Sequence, residues 1–119
     1  MSYIMIYKMS SGEEIIGRCV ASDNDTTKVK SPFRIERIYR DDGSDGQAYY
    51  TMRSWLIGQF DDTKERVVVL SNSHIMGAMQ PSNNTLNQYT STVEYFLNPD
   101  DEISEYEEDD FENVKSTIH

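Results

Sequence analysis

The chain has 119 residues, a formal net charge of −10 and 37% hydrophobic residues, enough for one core and too little for two. No stretch approaches the roughly 18 consecutive apolar residues of a membrane span. The first residues also lack the basic, apolar and small regions of a signal peptide. A cytoplasmic protein without a membrane partner is expected. The single cysteine, Cys19, has no partner for an internal disulfide and reads as a small buried hydrophobe in a reducing compartment.

The charge is unevenly placed. From Glu94 to the end the chain holds ten acidic residues against Lys115 alone, about −9, so the preceding 93 residues are nearly neutral at about −1. Tight non-specific binding of nucleic acid needs clustered Lys and Arg. An acidic tail argues against it for the whole chain and leaves room for a local basic face on the body.

Residues 3–20, YIMIYKMSSGEEIIGRCV, organise the rest. Tyr3 to Met9 is aromatic and β-branched, as a pleated strand prefers. Ser10, Ser11 and Gly12 supply turn chemistry, and a second apolar run with Gly17 at its centre follows to Val20. This predicts a β-hairpin. A polar cluster over residues 21–26 is a turn, and residues 27–39 read as one long strand. Val29, Phe33 and Ile35 share one parity there, with Lys28, Lys30, Arg34 and Glu36 on the other. The phase slips near Glu36 and Arg37, and Pro32 cannot donate to a ladder, so a bulge or bend is expected in this strand.

Residues 40–47, RDDGSDGQ, form a solvated hairpin loop. A strand over residues 48–60, a polar turn over 58–64, and two short apolar strands at 67–70 and 74–79 complete an all-β pattern. Ser82 is a good N-cap, and Leu86, Tyr89, Val93 and Phe96 recur at helical spacing, predicting a helix over 83–96. The expected organisation is a barrel over 1–80, a helix over 81–97 and an acidic tail over 98–119. Ile103, Tyr106, Phe111 and Val114 are interspersed in that tail, which reads as a solubilising segment or a contact for a partner protein.

Catalytic and metal chemistry have little to work with. One cysteine and two histidines, His74 and the terminal His119, cannot close a tetrahedral metal site. Asp41, Asp42 and Asp45 lack the ligand spacing of a calcium loop. His74 lies between Ser73 and Ile75 with no triad pattern around it. No cofactor is expected, and an enzyme is not.

Two stretches resemble the Sm-like family. The first is YKMSSGEEIIGRCV, residues 7–20, with Asp23 opening the loop after it: a strand, a Gly-containing turn, an apolar-Gly-apolar strand and an Asp. The second is Leu70-Ser71-Asn72-Ser73-His74-Ile75, an apolar residue, a polar pair, two free positions and an apolar residue. The opening YK-S-GEEIIG, a Trp in the fourth strand and a Pro-Ser start to the helix are similar to small Sm-like proteins of T4-like phages and cyanophages. The resemblance implies a strongly bent five-stranded antiparallel barrel, SH3-like in shape, that assembles into a homo-oligomeric ring of five to seven subunits. It places the subunit interface on Val67, Val68, Val69, Leu70, Ile75 and Met76. It also implies single-stranded RNA as a ligand, held by stacking and by an Arg-Gly pair. Here Ser71-Asn72 stands at that pair, so an altered or weakened base pocket is expected, with Asn24, Ser71, Asn72 and His74 as its polar groups. Lys28, Lys30, Arg34 and Arg37 form a basic stripe that could guide a phosphate backbone. The alternative role is an adaptor ring that binds protein through the acidic tail.

Overall fold

A computed structural model describes residues 3–39 and 48–99. Alternation in the opening hairpin sets the architecture. Strand β1 (Tyr3–Met9) pairs antiparallel with β2 (Glu14–Ser22), with Ile6 opposite Ile16, and Gly12 closes the turn between them at φ 98°. Ile15 and Ile16 are consecutive on β2 and both 0% exposed. Neighbours on a strand face opposite ways, so the sheet is buried on both sides here. Tyr7, Met9, Ile15, Cys19, Val29 and Leu70 form the first core, with Met5 and Trp55 against it. Ile16, Phe33 and Tyr89 form the second, with Ile4, Ile6, Ile35, Met52, Phe60, Val93 and Phe96 packed around them.

The remaining strands are β3 (Thr26–Tyr39), β4 (Ala48–Ser54), β5 (Val67–Ser71) and β6 (Ile75–Met79). The sheet order is β4-β3-β2-β1-β6, and β5 also pairs with β3. The far half of β3 takes β4, with Phe33 opposite Ser54 and Ile38 opposite Tyr49. The near half takes β5, with Thr26 opposite Ser71 and Lys30 opposite Val67. Thus β4 and β5 are two halves of one composite strand, broken by an excursion over residues 55–66. The expected strand over 48–60 ends at Ser54 for this reason. The six strands of the residue pattern are all present in one bent antiparallel sheet, and the five that the resemblance implies are reached when β4 and β5 count as one.

The bend is the hub of the fold, and of the two places the sequence marks it sits at Pro32 rather than at Glu36 and Arg37. Pairing from Phe33 to Tyr39 runs without a shift, so nothing slips near Glu36 and Arg37. The register shifts instead between Ile16 and Arg18 on β2, opposite Ser31 and Pro32. Ser31 takes a left-handed conformation, φ 52°, at 2% exposure, which a non-glycine residue holds only when its surroundings enforce it. Those surroundings are specific. The Tyr89 hydroxyl donates to the Ser31 carbonyl at 2.8 Å. The Ser31 hydroxyl donates to Glu65 at 2.7 Å. The Pro32 carbonyl accepts from the Trp55 amide at 3.1 Å and from Gln59 Nε2 at 2.9 Å. Across the strand, a Cβ on Gly17 would stand 3.4 Å from both the Lys30 oxygen and the Pro32 Cα, so the bulge closes tightly over a glycine.

One consequence is a change of face. Val29 lies in the first core but Phe33 and Ile35 lie in the second. A shared parity at sequence level therefore splits across the sheet, because the extra residue of a bulge shifts the pleat by one.

Helix α1 (Asn83–Leu97) is capped by Ser82, whose Oγ accepts from the Thr85 amide. It lays Tyr89, Val93 and Phe96 over the second core. Phe33 meets Tyr89 and Phe96 edge-on, at ring separations of 6.0 and 5.3 Å, and tilts against Phe60 at 5.5 Å. Burial holds the Tyr89 phenol well above the ordinary tyrosine range, and the nearby Glu65 charge adds to the effect. Arg18 donates to Glu65 from the same side. Cys19 is buried in the first core, the place expected of it. The loop carrying Asp41, Asp42 and Asp45 and the acidic tail from residue 100 lie outside the described residues.

Candidate nucleic-acid interface

Three turns meet at one end of the sheet. The β2–β3 turn begins at Asp23, whose Oδ1 accepts from the amides of Asp25 and Thr26, both at 2.8 Å. These bonds, that to Thr26 first, hold its carboxyl below the usual aspartate range, and the Lys28 charge adds to them. The second turn is a short 3-10 segment, Asn72–His74, between β5 and β6. The third is the β1–β2 turn at Ser10.

Asn72 ties the first two together. Its amide donates to the Asp25 carbonyl at 2.9 Å and its Nδ2 to the Asp23 carbonyl at 2.8 Å. Its Oδ1 accepts from the Thr27 hydroxyl at 2.6 Å. The side chain that the sequence pattern offers to a base edge is thereby engaged within the fold. Asn72→Ala should strand the Thr27 hydroxyl, a buried group, at a cost of about 1–3 kcal/mol. Urea unfolding measures it, and an unchanged midpoint would show the two turns to be independent.

The other polar candidates stay at the surface. Asn24 is exposed at the tip of the β2–β3 turn. Ser71 and Ser73 share a hydroxyl bond of 2.9 Å. His74 is exposed, with its Nδ1 3.2 Å from the Ser10 hydroxyl, while its carbonyl accepts from the Ser10 amide at 2.8 Å. Ser71, His74, Ser10 and Met9 border a cleft of about 290 Å³ whose far wall is Trp55. The indole N–H of Trp55 is fixed on Glu13 Oε1 at 3.2 Å. The sequence pattern puts Trp55 in a strand and does not bring it to this cleft. The two lie 19 positions apart, and only the break after Ser54 turns the indole toward His74.

The basic stripe separates into two parts. Lys28 and Lys30 alternate with Val29 of the first core, and Arg34 alternates with Phe33 and Ile35 of the second. The bulge between them therefore sends Lys28 and Lys30 to one side of the sheet and Arg34 to the other. Arg34 bonds Glu36 at 3.0 Å and approaches Glu13 at 3.8 Å. Arg37 donates to the Tyr50 hydroxyl at 3.1 Å and lies over the Tyr50 ring. A wider cleft of about 710 Å³ runs between these arginines and Glu13, Glu14 and Glu36, so its positive charge is largely matched. Lys28 and Lys30, by contrast, have no ion-pair partner among the described residues.

The expected interface residues divide as well. Val67, Val69 and Met76 are exposed, while Leu70 is buried in the first core and Val68 and Ile75 pack against it. The side chains of the latter three thus serve the subunit itself, and only their backbones lie at a sheet edge. No group of His, Cys, Asp and Glu suited to a metal occurs among the described residues, and no helix of the described residues is long and apolar enough to cross a membrane.

A small, strongly bent antiparallel sheet with one C-terminal helix and polar turns gathered at one end defines a small all-β, barrel-like class of protein. The family model of the Sm-like domain matches residues 6–90, and the chain belongs to the Sm-like family. Proteins of this family generally form oligomeric rings and bind RNA. A search of curated proteins finds no match to this chain.

Proposed function

We propose that this chain assembles into a homo-oligomeric ring of five to seven copies that binds single-stranded RNA with an altered base pocket. Edge strands of neighbouring copies pair in it, and exposed Val67 and Val69 on β5 and Met76 on β6 leave water there. RNA would meet Asn24, Ser71 and His74 at the gathered turns, with Lys28 and Lys30 drawing the phosphates. The observation that carries this reading is Lys28 and Lys30, which make no ion-pair contact among the described residues, close to turns that Asn72 ties together, with Lys28 acting on Asp23 only at longer range. Ser71 at the position of the family arginine lacks both charge and a stacking plane, so affinity should be modest and electrostatic. The likeness to phage Sm-like proteins belongs to the same reading, with transcripts in a host cytoplasm as the ligands.

Fluorescence anisotropy with short U-rich and A-rich RNA tests it. Binding should weaken with salt. Replacing Lys28 and Lys30 with alanine should reduce the slope of log affinity against log salt by about 0.7 for each phosphate left without its lysine. No salt-dependent binding at concentrations on the order of tens of micromolar would overturn the RNA reading. The absence of the family arginine favours one alternative, a ring that serves as an adaptor for protein through its acidic tail. Truncation after Leu97 that leaves every captured partner in place would remove that alternative.

A further inference from the structure

The excursion between β4 and β5 has an unusual path. Trp55 packs against the first core and Phe60 against the second, and these cores lie on opposite faces of the sheet. Residues 56–59 must therefore cross the sheet's edge, in the gap between the two halves of the composite strand. The crossing is held firmly. Trp55 N and Gln59 Nε2 both reach the Pro32 carbonyl, the Leu56 amide donates to Gln59 Oε1 at 2.9 Å, and Gln59 N returns to the Leu56 carbonyl at 3.3 Å. Gly58, at φ 82°, supplies the left-handed position such a turn requires. Ile57 stands at its apex, fully exposed, with Leu56 partly so.

A lone exposed isoleucine is ordinary. One presented on a rigid turn, at the end of an open apolar edge, has a more specific use. The two halves of the composite strand differ in what covers them. Gln88 of α1 donates to the Tyr50 carbonyl on β4 at 3.2 Å, whereas no side chain among the described residues bonds the backbone of β5. The open edge is therefore β5, five residues long, and β6 matches it at five.

We propose that Ile57 and Leu56 form a stop and an apolar hold for a second copy of this chain, seating the end of that copy's β6 at Met79. The proposal rests on the ring reading above and adds what sets its register. Two antiparallel five-residue strands span about 17 Å. Paired end to end, they place the last residue of β6, Met79, beside the first residue of β5, Val67, where the excursion crosses. Met79 is 60% exposed in the subunit, and contact with Ile57, Leu56 and Val67 would bury it. Past Met79 the neighbour's chain turns away through Pro81, which has no amide to extend the ladder. A slip of the partner strand toward β4 would run into the crossing loop. The excursion thus confines pairing to β5 in one register.

The test compares full-length wild type with Ile57→Asp by native mass spectrometry and by dilution in size-exclusion chromatography. Ile57 is fully exposed within its own subunit, so far-UV circular dichroism should be unchanged. The expected result is a ring in the wild type, and in Ile57→Asp a dissociation midpoint raised about tenfold or more, or a mixture of copy numbers. Adding Met79→Lys to Ile57→Asp should recover assembly, which a defect of folding would not allow. Should Ile57→Asp lose its strand signature, Ile57→Thr carries the same comparison. A wild-type ring that both substitutions leave unchanged overturns the inference and leaves the ring standing. A wild type that is monomeric at every concentration overturns both.

Discussion

Phe33→Ala should lower the unfolding free energy by about 3–5 kcal/mol, the range for removing a fully buried aromatic side chain. Phe33 is fully buried, and its ring is shared by Phe60 from the excursion and by Tyr89 and Phe96 from the helix. The void would lie where β3, the excursion and α1 meet, and none of the three can collapse into it without moving the others. Urea unfolding followed by circular dichroism gives the free energy. Amide exchange should show α1 opening before the sheet. A loss under about 1.5 kcal/mol would mean that the second core repacks, as volume-conserving changes do.

Glu65→Ala should cost about 2–3 kcal/mol, less than the 3–5 kcal/mol of breaking a fully buried ion pair. The reduction reflects exposure, since the side chains of Arg18 and Glu65 are 31% and 21% exposed and water screens part of the loss. Two groups lose their acceptor together, the Arg18 guanidinium and the Ser31 hydroxyl. The second matters more than its size suggests, because Ser31 occupies the left-handed position at the bulge. Glu65→Gln keeps an acceptor oxygen and should lose about half as much. Equal losses in the two variants would assign the whole effect to charge. No loss in either would show that Tyr89, Trp55 and Gln59 secure the bend without Glu65.

Much of this architecture was legible in local chemistry. The opening hairpin, with Gly12 at its turn, comes from alternation and turn residues within 20 positions. The helix comes from Ser82 and the spacing of Leu86, Tyr89, Val93 and Phe96, and its observed end at Leu97 is one residue from the expected one. The Sm-like resemblance was legible for the same reason, since both stretches that carry it are short and contiguous. Strand, turn and cap preferences act over a few residues, and a single sequence displays them directly.

The position of the bend was legible only as two candidates, Pro32 and the pair Glu36 and Arg37. A bulge is chosen by what can satisfy its displaced groups, and here those partners are Trp55, Gln59, Glu65 and Tyr89, at least 23 positions away from the bulge. Parity falters at Glu36 and Arg37 and the missing amide marks Pro32, and nothing local ranks the two sites. That choice then fixes which side of the sheet each cation faces. Lys28 and Lys30 part from Arg34, and Asn72 turns inward to bind two loops, because faces and hydrogen-bond partners follow from long-range register. Composition and alternation therefore determine that this chain makes a two-faced bent sheet with a capped helix. Packing across the sheet determines where it bends, which charges stand together and which edge stays open, because those outcomes depend on atoms that only the folded chain brings within reach.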